Sequence, residues 1–96
     1  MDADFIIERC GQFLVGEIKR RRVDITQGQM ILLHALAARP AFTVFAIVGE
    51  IDEHELWPTE LLVLPKDTWQ PIDRPAFFHF CNDWFKRVDG HWHDKF

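Results

Sequence analysis

Ninety-six residues make one small domain at most, and a hydrophobic share of 48% with nine Phe and four Trp is enough for a packed core. A net charge of −4 argues against non-specific capture of polyanions, and no apolar run is long enough to span a bilayer. Cys10 and Cys81 match no metal or disulfide spacing, and the amino terminus lacks the pattern of an export signal, so the expectation is a cytoplasmic protein with reduced thiols.

The charge is unevenly placed. Lys19-Arg20-Arg21-Arg22 is a basic run, while Glu50, Asp52, Glu53, Glu55 and Glu60 form an acidic stretch with no Lys or Arg between them. In chain order, Asp4–Glu8 and Phe13–Lys19 read as two strands joined by a tight turn, Arg9-Cys10-Gly11-Gln12. With Cys10-Gly11 as a two-residue tip, Asp4 faces Glu17. Directly opposed residues on antiparallel strands have Cβ atoms ~5 Å apart. Lys19, two residues on, projects from the same face. Two carboxylates this close repel unless a cation lies between them, and oxygen ligands favour a hard cation such as Mg²⁺. The pair plus the ammonium therefore points to a site for a metal and an anionic substrate. Ile6 and Val15 share the carboxylate face, and Phe5, Ile7, Leu14 and Ile18 share the other. A ribbon apolar on both sides is expected to be covered on both, by helices or by a helix and a second subunit.

Thr26 is a good N-cap for a helix from Gln27 to about Ala38, with Arg39 favouring its end and Pro40 stopping it. Its many apolar residues predict a mostly buried helix, with His34 as a core histidine. Ala41–Val48 reads as a central strand, completing a strand–helix–strand unit with a right-handed crossover. Residues 49–58 read as loop or irregular, and Glu60–Leu64 as a possible strand closed by Pro65. Asp73-Arg74-Pro75 opens a last helix, about 75–88, with Phe77, Phe78, Cys81, Trp84, Phe85 and Val88 as its apolar stripe and Gly90 as its end. His91, His93 and Asp94 lack the partners of a closed zinc set and read as tail residues. Glu8 faces the same side as Asp4 and reads as a hairpin-end charge.

The order Asp4, turn, Glu17-Ile18-Lys19, Thr26-Gln27-Gly28-Gln29 and the strand Phe42–Val48 resembles the core of the PD-(D/E)XK nuclease superfamily. It is most similar to VRR-NUC-like and Holliday-junction-resolvase-like members. The resemblance covers residues 4–48. It implies an α/β fold, a small mixed sheet with helices packed on it: a minimal restriction-endonuclease-like core without the family's N-terminal helix, plus an aromatic C-terminal helix. All 96 residues would be one domain, with 49–96 as an extension. It further implies a Mg²⁺- or Mn²⁺-dependent endonuclease or junction resolvase acting on DNA. In that reading Asp4, Glu17 and the Ile18 carbonyl bind the metal. Lys19 orients water or stabilises charge on phosphate, Gln29 positions the nucleophile or phosphate, and Arg20, Arg21 and Arg22 follow the nucleic-acid backbone. A homodimer would supply two active sites. The alternative is a catalytically inactive, acidic binding protein on the same scaffold, such as a mobile-element-encoded inhibitor of a host defence complex, with a protein partner in place of DNA.

Overall fold

The computed structural model describes the backbone of residues 4–95 and the side chains of residues 4–90. Its elements in order are β1 (Phe5–Arg9), β2 (Gln12–Lys19), a short 3-10 turn (Arg22–Asp24), α1 (Gln27–Ala37), β3 (Phe42–Asp52), β4 (Glu55–Val63), β5 (Gln70–Pro71) and α2 (Arg74–Lys95). The chain is an α/β protein whose strands form one mixed sheet in the order β1-β2-β3-β4-β5. Among the described strands only β2 and β3 run parallel, with α1 as the connection between them.

The first hairpin has the register that turn geometry predicts. Cys10 and Gly11 both take positive φ, 54° and 78°, as a two-residue turn matched to strand twist demands. Gly11 accepts that conformation without steric cost. Glu8 closes the turn by accepting a hydrogen bond from Gly11 N at 2.9 Å, which is the hairpin-end role expected of it. The strands then pair from Arg9↔Gln12 to Phe5↔Gly16, and one further step sets Asp4 against Glu17.

Each face of the sheet is covered by its own helix. On one face, Leu14, Phe45, Ile47 and Leu61 pack against Phe77, Trp84 and Val88 of α2. Phe45 is the hub, with ring centroids 5.8, 5.6 and 5.5 Å from those of Phe5, Phe77 and Phe80. Gly16 makes room for it, since a Cβ there would stand 2.3 Å from Phe45 Cζ. On the other face, Val15, Val44, Ala46, Leu62 and Leu64 meet Leu33 of α1. Thus α2 covers the face for which a second subunit was the alternative.

The structure corrects four expectations. Helix α1 is only half-buried: Leu33 is its one fully buried residue, Ile31 is 63% exposed and His34 is exposed, because α1 packs on the sheet through the stripe Met30, Leu33, Leu36 and Ala37 and its outer side is left to solvent. The acidic stretch is not a loop. Strand β3 continues to Asp52, turns at Glu53-His54 and returns as β4, with Pro58 accommodated by a register shift after Val48. Helix α2 begins one residue earlier than Pro75, capped by Asp73 Oδ1 accepting from Ala76 N at 2.9 Å. It also passes Gly90 and runs to Lys95, so residues 91–95 are helical by backbone. The side chains of His91, His93 and Asp94 lie outside the described residues. No helix described is long and apolar enough to cross a membrane.

Candidate functional site

The predicted carboxylates and amine meet at the carboxyl end of β2, beside the N-terminus of α1. Crevices at the carboxyl ends of parallel strands are where α/β sheets place ligands. Glu17 lies on β2 facing α1 and is 1% exposed. Its Oε1 accepts from Lys19 Nζ at 3.2 Å and from Gln29 Nε2 at 3.1 Å. Its Oε2 is buried and has no hydrogen-bond partner among the described residues. A buried acceptor left unsatisfied costs ~1–3 kcal/mol, more when charged. Burial first, and then the negative charge of Asp4, push the Glu17 carboxyl above the ordinary carboxylate range, while the hydrogen bond from Lys19 pulls it down. The same hydrogen bond holds the Lys19 ammonium above its ordinary value, helped by the charges of Glu17, Asp4 and Asp24.

Asp4 stands just before β1 and extends the hairpin ladder with its side chain. Its Oδ2 accepts from Ile18 N at 3.0 Å. A strand residue points its N–H and C=O to the same side, so the Ile18 carbonyl also projects toward Asp4's side of β2.

Gln29 does two jobs. Its Oε1 accepts from Thr26 N at 2.9 Å while Thr26 Oγ1 accepts from Gln29 N at 3.1 Å, a reciprocal cap. With the carbonyl oxygen so engaged, the amide nitrogen is left to reach Glu17. The helix start is thereby locked to the carboxylate.

Each arginine of the basic run is paired with an acid. Arg20 donates to the Ile51 carbonyl at 3.1 Å and lies 3.5 Å from Glu50. Arg21 contacts Asp24 at 3.0 Å. Arg22 grips Glu60 with two nitrogens and lies over the Trp69 ring, 5.2 Å from its centroid. The sequence reading missed Asp24, Glu60 and Trp69 as neighbours of the site. The acidic string Glu50–Glu60 opposite a basic run pointed toward the Glu60 pairing, and the three-residue spacing of Arg21 and Asp24 toward theirs.

Among the described residues no group of three or more His, Cys, Asp or Glu gathers to hold a metal. An all-protein cage is therefore not what these residues build. Two carboxylates with one unsatisfied buried oxygen, and a backbone carbonyl on the same side, are a donor set that suits Mg²⁺, which keeps several waters and takes one or two carboxylates. Fold and site together define a small α/β protein with a five-stranded mixed sheet and a paired-carboxylate centre at the carboxyl end of its parallel strands. No family model, no curated protein and no solved structure matches the chain.

Proposed function

We propose that this chain is a Mg²⁺-dependent phosphodiester hydrolase acting on DNA, of the PD-(D/E)XK type. The observation that carries the reading is the buried Glu17 carboxylate with one oxygen unpaired, set against Asp4 and touched by Lys19. Asp4, Glu17 and the Ile18 carbonyl are the groups that would hold the ion. A bound Mg²⁺ would supply Lewis-acid polarisation of the phosphodiester and a more acidic water. Lys19, 28% exposed at its side chain, keeps its ammonium charged and presents donors toward phosphate charge as it develops. Gln29 fixes the rotamer of Glu17 and so keeps its second oxygen free. The Arg20–Glu50 and Arg21–Asp24 pairs lie at the surface, where such pairs are worth ~0–1 kcal/mol, so a DNA phosphate can displace those acids; the two-nitrogen Arg22–Glu60 pair, stacked on Trp69, is held more firmly.

The test is cleavage of duplex, single-stranded and branched DNA by the purified chain with Mg²⁺ or Mn²⁺. Wild type should cut at least one of these. Glu17→Ala and Lys19→Ala should each lose about a hundred-fold or more, as removal of one charge-stabilising group does. Absence of cleavage on all three with both metals would sink the proposal.

A second reading has its own support. Every arginine of the basic run is compensated by an acid, and Glu50, Asp52, Glu53 and Glu55 are exposed along the β3–β4 hairpin. That pattern suits a non-cutting binder that presents carboxylates to a basic surface of a protein partner. Neither cleavage nor DNA affinity, together with tight capture of a basic protein lost on reversing the hairpin charges, would select it.

A further inference from the structure

The layer between sheet and α2 is underfilled at the amino end of β2 and β3. Gln12 and Thr43 lie there on the face covered by α2, two residues before Leu14 and Phe45 of the core. Neither fills the layer as Leu and Phe do above it. The part of α2 that passes over them carries Trp84 and Val88, 3% and 5% exposed, with Arg87 at the surface. A cavity of about 330 Å³ is left, lined by Gln12, Pro40, Thr43, Trp84, Arg87 and Val88. Sites for small ligands run ~300–1,000 Å³, so this one suits a small molecule.

The lining combines an apolar floor with a single charge. Trp84, Val88 and Pro40 supply the floor, and the Gln12 amide and Thr43 hydroxyl bring donors that have no partner among the described residues. Among those residues no carboxylate lines the cavity. Arg9, Arg20, Arg21, Arg22 and Arg74 each meet an acid. Arg87 meets none among the described residues. Asp89, two residues on, is taken by Arg9 at 2.7 Å, and Asp83, one turn back, accepts from Arg87 Nε only through its main-chain carbonyl, at 3.4 Å. A second cavity that shares Arg87 already holds an acid, since Asp83 lines it beside Lys66 and Lys86.

We infer that the cavity between Gln12, Thr43, Trp84 and Arg87 is a binding site for a small carboxylic acid with an apolar body. The guanidinium fork matches a carboxylate through two parallel N–H···O bonds. One arginine answers one negative charge, which suits a monocarboxylate better than a doubly charged phosphate monoester. Thr43 and Gln12 add neutral donors that fix orientation, and the indole and Pro40 cover the apolar part of the ligand. The site is separate from the Glu17 centre. Gln12 precedes Glu17 by five residues, about 17 Å along β2, and faces α2 rather than α1. The inference goes beyond the nuclease reading and does not depend on it.

Benzoate is the probe, titrated into the ¹⁵N-labelled chain and followed by NMR, with benzamide as its uncharged counterpart. Benzoate should saturate, shifting the main-chain amides of Gln12, Thr43 and Val88 and the indole N–H of Trp84 together. Benzamide should bind at least about ten-fold more weakly, because it lacks the charge that the guanidinium answers. Arg87→Gln changes an exposed helix residue and should weaken benzoate by about ten- to a hundred-fold, as loss of a hydrogen bond to a charged group does. Thr43→Val, which keeps the side-chain shape, should weaken it by about three- to ten-fold. The dispersion of each variant's spectrum shows that it is folded. Absence of saturable shifts in wild type, equal binding of benzamide, or an unchanged benzoate affinity in Arg87→Gln would each overturn the site. Shifts centred on Lys66 and Lys86 would put the anion in the neighbouring cavity and overturn it as well.

Discussion

Glu17 carries the energetic conflict of this molecule in one side chain. A carboxylate at 1% exposure with one oxygen unpaired pays for burial that two donors on the other oxygen only partly offset. The direction of its titration follows. Its folded-state pKa lies above the ordinary value of 4.5, so between the two the folded chain binds more protons than the unfolded one. Stability contributed through this group therefore falls as pH rises across that window and stays low above it. Glu17→Gln removes the titration. Measured without metal, the difference in melting temperature, Glu17→Gln minus wild type, should grow more positive as pH is raised from about 4 to 7. A difference that is flat across this range, or shrinks, would mean that Glu17 is solvated and comfortable as an anion.

Elements whose ends are set by local chemistry were legible in the sequence, and those set by distant contacts were not. The Cys10-Gly11 turn and the Thr26 cap each depend on neighbours within a few positions, so the facing of Asp4 and Glu17 and the start of α1 could be read directly. The β3–β4 hairpin could not. Its tip, Glu53-His54, lacks the Asn-Gly or Gly signal of a two-residue turn. Pro58 also looks like a strand breaker until the register shift after Val48 makes room for it. The half-exposure of α1 depends on whether another element packs over its outer side, which no helical pattern encodes. Glu60 and Trp69 reach Arg22 only through that unread pairing, whereas Asp24 lies three residues from Arg21 and is a local partner. The α1 cap supplies the test at this scale. Thr26→Ala should cost ~1 kcal/mol of stability, as loss of a capping hydroxyl does, and leave most of the cleavage intact. Gln29→Ala should cost a similar amount and also lower cleavage about ten-fold or more, because it frees the Glu17 rotamer. Denaturant unfolding and a cleavage rate on the same samples separate the two. Equal effects of both variants on rate would mean that Gln29 acts only as a cap.

For the whole molecule, the fold keeps a poorly satisfied carboxylate against the α1-side core of a 96-residue chain, and an ion bound there, as proposed, would relieve it. Anything that binds the folded state and not the unfolded one stabilises it in proportion to the logarithm of its concentration, ~2.7 kcal/mol at a hundred times the dissociation constant. A domain of this size shifts its melting temperature by ~4–8 °C per kcal/mol, so saturating Mg²⁺ should raise it by about 10 °C or more. The rise should vanish in Glu17→Gln, shrink strongly in Asp4→Asn, and be matched by no equal ionic strength of NaCl, since screening of the exposed arginine pairs is not specific to the divalent ion. It should also steepen with pH through the range in which Glu17 loses its proton, because the proton and the ion compete for one carboxylate. Coincident wild-type and Glu17→Gln melting curves across a Mg²⁺ titration would leave the buried oxygen as an unrelieved strain of the fold and would remove the metal from the site.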